Sequence, residues 1–412
     1  INDFIVGKDS AKQTEKDDKL DSFQPILDFS NFLLIVLKLT RMGKSNFEPT
    51  SFILDDKELI NEFDKVQNID ESFVKKFGFN LLMAKFLLDN FIVHHSNEDE
   101  TKESNPWKLQ YWHKDEKKSE YLKNLDDKGT YQDKLVHLLS MFEVSFTAKQ
   151  RKNYLFYCLF HLFNSDDWNI KKYYLFVTGL ADKYFKDVYL VSENLNEINT
   201  PKPGSFDENI LIKNQLDISL HNKNINFTDI YGDGTSMSKG IPLFVFNYID
   251  YKLWEKYTAI IRGKATKEGD EIRDKFFNSL GCKDFGLKVF DQFYFSRTRR
   301  SLEHFYAQSL ATGEKDKLTQ DQINCLGNFA MIGSEANSSG SNWTPYAKLN
   351  HYLDSSGKIK QVSVASIKFM IMMQVCKDNQ DNRDTGDEWN FNDIENHQKN
   401  ILNILGISNV SK

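Results

Sequence analysis

The stretch Ser301–Tyr352 gathers residue types that phosphodiester hydrolysis would need. Such chemistry takes a base for water, a group that orients the base, and ligands for a divalent ion. Glu303 and His304 stand side by side in SLEHFYAQSL, Asn328 sits in a Leu-Gly-Asn turn, and Asn337 lies in SEANSSGSN. His304 is one of nine histidines, and a lone histidine is more often structural than catalytic. Its imidazole can still take a proton from water near neutral pH. Glu303 offers hard carboxylate oxygens of the kind Mg²⁺ or Mn²⁺ takes. An asparagine after a glycine is ordinary turn chemistry, so Asn328 alone says little. Asn342 is the neighbouring candidate to Asn337 if the register slips. Arg297, Arg299 and Arg300 precede the acid–histidine pair and could hold DNA phosphates bidentately, although a charge run is more often a solvated face.

These side chains need elements to hold them. Neighbours on a strand point to opposite faces, so Glu303 and His304 can share a site only where their strand bends or ends. LKVFDQFYFS alternates as a strand leading into RTRRSLEHFYA, and Leu326, Phe329 and Met331 predict a second short strand. Thr344-Pro345 marks a helix start. Past it, ASIKFMIMMQVCK and FNDIENHQKNILNIL read as two closing helices. Upstream, IPLFVFNYIDYKLWEKY carries Phe246, Tyr248, Tyr251 and Trp254, which could stack bases but in an apolar run are more often core.

Residues 1–20 are polar and lysine-rich and read as a linker. QPILDFSNFLLIVLKLTR, with Pro25 near its start, opens a series of amphipathic or buried helical segments that ends at DVYL, so residues 21–190 read as a helical bundle. The turn-rich residues 191–240 form an irregular connection, and residues 241–412 hold the candidate site. Apolar residues make up 40%, with 33 Phe and 17 Tyr, which excludes a disordered chain. A net charge of −6 argues against a general nucleic-acid coat, while a local basic groove stays compatible with it. The four widely spaced cysteines form no CxxC pair, which disfavours a zinc knuckle or disulfide framework and suits a reducing cytoplasm. No signal peptide or membrane-spanning run stands out. The chain opens at Ile1 rather than Met, so upstream sequence is expected.

SLEHFYAQ, LGNFAMI and NSSGSN stand in the order of a pattern found in HNH (ββα-metal) nucleases. They resemble the C-terminal nuclease half of GmrSD-type modification-dependent restriction endonucleases. FNYIDYKLW and Trp389 before the last helix resemble the same family, whereas Ala307 stands where the family usually has proline. The resemblance implies a mostly α chain: a helical bundle, a small α+β ββα-metal domain and closing C-terminal helices. It implies a metal-dependent DNA endonuclease in which His304 is the base, Asn328 holds its ring, and Glu303 and Asn337 ligate one Mg²⁺ or Mn²⁺. It also implies an N-terminal ParB-like half that binds nucleotide and senses modified DNA. The Asp-Gly-Gln-Gln-Arg type motif of that half does not occur here, so sensing is expected upstream or in a partner chain, in the service of phage defence. A catalytically inactive helical DNA-binding or protein-interaction module is the alternative, and RNA is a further possible substrate.

Overall fold

The computed structural model describes residues 23–24, 26–96, 105–114, 120–126, 131–190, 227, 231, 240–261, 267–311, 318–333, 343–354, 365–380, 382–384 and 387–407. The linker at 1–20 and nearly all of the connection at 191–240 lie outside these residues, as do Asn337 and Asn342. The described chain is mostly helical, with three small antiparallel sheets.

The first half is built from α1 (Phe29–Arg41), α2 (Leu59–Asp64), α3 (Glu71–Phe91), α4 (Gln132–Ser145), α5 (Ala148–Phe163) and α6 (Ile170–Tyr184). Their starts are fixed by side-chain caps that satisfy the orphan amides of the first turn. Asp28 accepts from the Asn31 amide, Asp70 from Phe73, and Asn169 from Lys171 and Lys172, while Thr147 and Gln150 form a capping box on α5. The first of these helices therefore begins at Phe29, after its Asp28 cap, rather than at Pro25. α1 is buried over most of its surface, including Lys38, whose ammonium lies 4.6 Å from the Phe156 ring centre. That aromatic contact keeps an otherwise costly buried cation partnered.

Strands that the sequence does not predict lie before α1 and between α3 and α4. β1 (Phe23–Gln24), β2 (His94–Ser96) and β3 (Trp107–Lys108) pair antiparallel in that order. β4 (Gln110–Lys114) and β5 (Glu120–Asn124) form a separate hairpin. These pieces are too short, and too polar in places, to show a period of two.

The second half starts with α7 (Leu243–Ile261), then α8 (Lys267–Ser279) and α9 (Leu287–Asp291). Phe246, Tyr248, Tyr251 and Trp254 on α7 are all buried, so the aromatic run is core and not a base-stacking platform. LKVFDQFYFS is not a strand: its first part is α9, and the remainder runs irregularly to β6. β6 (Ser301–His304) pairs antiparallel with β7 (Phe329–Ile332), with Glu303 opposite Ala330 and His304 opposite Phe329. Two short helical turns, α10 (Gln308–Ala311) and α11 (Gln320–Ile323), lie between the strands. α12 (Pro345–Tyr352) follows, capped by Thr344 as its sequence predicts. α13 (Ile367–Gln380) and the Asn390-capped α14 (Phe391–Ile404) close the fold.

The two halves share packing. His137 on α4 stacks on Trp254 at 3.8 Å, and its Nε2 lies 2.9 Å from the Phe293 carbonyl. The Trp107 indole donates to the Phe295 carbonyl at 2.6 Å. The backbone leading into β6 is thus held by side chains from the first half.

Candidate active site

Strand alternation sends Glu303 and His304 in different directions. Glu303 is 5% exposed and turns towards α12, where its Oε1 lies 2.6 Å from Lys348 Nζ. Lys348 also donates to the His304 carbonyl at 2.6 Å and to the Phe305 carbonyl at 3.0 Å. One ammonium therefore ties α12 to the end of the strand that carries both residues. Burial pushes the Glu303 carboxyl above its ordinary range and the Lys348 amine below its own, while their contact pulls each back.

His304 is half-buried, with the Phe329 ring edge-on at 4.6 Å. Its Nε2 lies 2.8 Å from Oδ1 of Asn324, and Gln308 donates to that same oxygen at 3.0 Å. Burial lowers the imidazole pKa; the Asn324 bond opposes this and the nearby Lys348 charge adds to it. The ring is accordingly biased towards its neutral form at neutral pH, the form a base needs.

Asn328 is fully buried and does not touch the ring through its amide. Its Oδ1 accepts from the Tyr306 amide at 2.8 Å, and its Nδ2 donates to the Tyr306 and Ile323 carbonyls, each at 3.0 Å. The Phe305 amide closes the set on the Asn328 carbonyl at 2.9 Å. Asn328 thus splints the backbone just after His304, where the expectation was a hold on the ring itself. Asn324 makes that ring contact and was missed. The available signal was slight: an asparagine four positions before Asn328, at the end of a short helical turn.

Gly327 explains why the turn can pack as it does. A Cβ there would overlap the Ile394 carbonyl of α14, and the Gly327 amide donates to Gln398 Oε1 at 3.1 Å. Close approach to α14 requires the missing side chain.

The three arginines separate. Arg299 is 3% exposed, donates to the Tyr294 carbonyl at 3.0 Å, lies over the Phe293 ring and faces the buried Asp250. It is a buried structural cation, which corrects its assignment to DNA. Arg297 is half-buried, with its guanidinium 5.2 Å from the Trp107 ring centre. Arg300 alone of the three is exposed.

A divalent ion would find one hard carboxylate here, Glu303. With Oε1 on Lys348, that carboxylate keeps lone pairs to offer. Among the described residues no three His, Cys, Asp or Glu side chains form an ion-holding group. An ion of the Mg²⁺ type is commonly held through one or two carboxylates with waters and substrate phosphates, and Glu303 is the carboxylate beside His304 among the described residues.

Residues 250–404 match the family model of the GmrSD restriction endonucleases, C-terminal domain. This stretch contains β6, β7, α12 and both closing helices. No curated protein and no solved structure matches the chain. No described helix is long and apolar enough to cross a membrane.

Proposed function

We propose that the chain is the effector part of a modification-dependent restriction endonuclease, hydrolysing DNA phosphodiesters at an HNH-type site. One observation carries this reading within the matched domain: His304 sits at the end of β6, its ring held by Asn324 and its following backbone splinted by Asn328. That arrangement positions a general base without sealing it from a substrate.

His304 accepts the proton of an attacking water, and the hydroxide oxygen bonds to phosphorus as the bond to the 3′ oxygen breaks. Glu303, with Asn337 as the second protein ligand by resemblance, would hold Mg²⁺ or Mn²⁺. When bound, that ion supplies positive charge for the phosphorane and the leaving oxygen. Lys348 contributes a fixed charge beside Glu303, and Arg300, the exposed one of the three arginines, would meet a flanking phosphate. Modification sensing belongs to a ParB-like half outside these residues or on a partner chain. The site's cations and amides suit backbone contacts more than base edges, so cleavage by this chain alone should lack sequence preference.

The test is nicking of supercoiled duplex by wild type and His304→Ala, with and without Mg²⁺ or Mn²⁺. Loss of a general base should slow cleavage by roughly 10²–10⁴-fold. Equal nicking by both proteins would overturn the assignment. The inactive interaction module draws support from one feature, the nearly sealed Glu303–Lys348 pair, and predicts DNA binding with no cleavage under any metal condition.

A further inference from the structure

We propose that Asn324, braced by Gln308, is the positioning residue that fixes the tautomer of His304, leaving Nδ1 as the atom that takes the water proton. This rests on the nuclease reading above and names a residue the motif does not contain.

The geometry supplies three constraints. Asn324 Oδ1 has no hydrogen to give, so His304 Nε2, 2.8 Å away, must carry the proton of that bond. Gln308 Nε2 donates to the same oxygen at 3.0 Å, which keeps the amide turned with its oxygen towards both partners. A neutral imidazole protonated on Nε2 has its lone pair on Nδ1, and Nδ1 makes no hydrogen bond among the described residues. The edge-on Phe329 ring at 4.6 Å limits rotation that would exchange the two nitrogens. Asn324 is 5% exposed, so bulk water competes little for its oxygen.

Asn328 cannot take this role, because its amide is spent on Tyr306 and Ile323. Two asparagines four residues apart therefore act on different parts of the histidine. Asn328 sets the backbone that follows it, and Asn324 sets its ring.

The experiment uses the full chain labelled with ¹⁵N-histidine. The His304 signals are assigned by their loss in His304→Ala, and NMR then reads which ring nitrogen carries the proton. Wild type should show protonated Nε2 and bare Nδ1. Asn324→Leu should mix the tautomers and lower kcat by at least about 10²-fold, with KM for DNA within about two-fold. Asn324→Asp keeps the acceptor oxygen and should restore the single tautomer and most of kcat. A proton on Nδ1 in wild type, which would mean that both amides are turned over, overturns the proposal. So does an unchanged signature or an unchanged kcat in Asn324→Leu. Should that variant fail to fold, the wild-type and Asn324→Asp spectra decide alone. The expected spectrum in a wild-type protein that cuts no DNA would sink the nuclease reading and leave the ring assignment standing.

Discussion

Lys348 Nζ and Glu303 Oε1 meet at 2.6 Å with side chains only 2% and 6% exposed. Removing one partner strands a buried charge, which typically costs about 3–5 kcal/mol, whereas replacing both with neutral groups is far milder. Lys348→Met should therefore destabilise the protein more than Glu303→Gln/Lys348→Met does. Urea unfolding of the two variants decides this, and a double variant less stable than the single would contradict it.

Arg299 and Arg300 should respond to alanine in opposite ways. Arg299→Ala leaves the buried Asp250 with Lys368 as its remaining counter-charge, so stability should fall, by up to about 3–5 kcal/mol. Arg300→Ala should barely change the melting temperature but weaken DNA binding and flatten its salt dependence by roughly one phosphate contact. Binding isotherms at several salt concentrations separate the two; a salt slope unchanged in Arg300→Ala would remove that residue from the interface.

At Gly327 the issue is space. Gly327→Ala must push the Leu-Gly-Asn turn off Ile394, so a loss of roughly 1–3 kcal/mol is expected, as for overpacking in a tight core. Because Asn328 moves with the turn, cleavage at temperatures where the variant stays folded should drop as well. Wild-type stability in Gly327→Ala would show that the helix gives way easily.

Glu143 on α4 provides a pH handle in the first half. Burial pushes its carboxyl up to about 7, against the pull of Arg151 and of the Tyr154 hydroxyl that donates to it. A raised folded pKa means the native state holds the proton more tightly than the unfolded chain. Its stabilising contribution is complete below the unfolded pKa and is lost as pH rises through about 7. Relative to Glu143→Gln, wild type should lose melting temperature as pH is raised from the ordinary carboxylate range through about 7. Parallel melting curves for the two proteins would refute this.

The helices were legible because their apolar spacing is a local property, and Thr344 sits where a first turn needs an acceptor; Asp28 and Thr147 sit likewise but went unread. Phe329–Ile332 was legible as a strand for the same local reason. LKVFDQFYFS misled because alternation over so short a run fits one helical turn followed by irregular chain equally well. Lys348 and Arg299 were hidden by the rule that such residues face water, which holds except where a buried acid meets them. Asn324 was hidden because its partner is twenty residues away, a distance only folding removes. The spans around Asn337 and Asn342 lie outside the described residues, so their place beside Glu303 rests on resemblance.

The stacking of His137 on Trp254, and the reach of His137 and Trp107 to the Phe293 and Phe295 carbonyls, bear on modularity. A unit that borrows donors from elsewhere in its chain is a poor cassette. A gene fusion joined at residue 240 would strip two buried carbonyls of their partners and bare one face of an indole. Any graft of the later half onto a foreign sensor must supply an imidazole and an indole at those places, or carry α4 and β3 along with it.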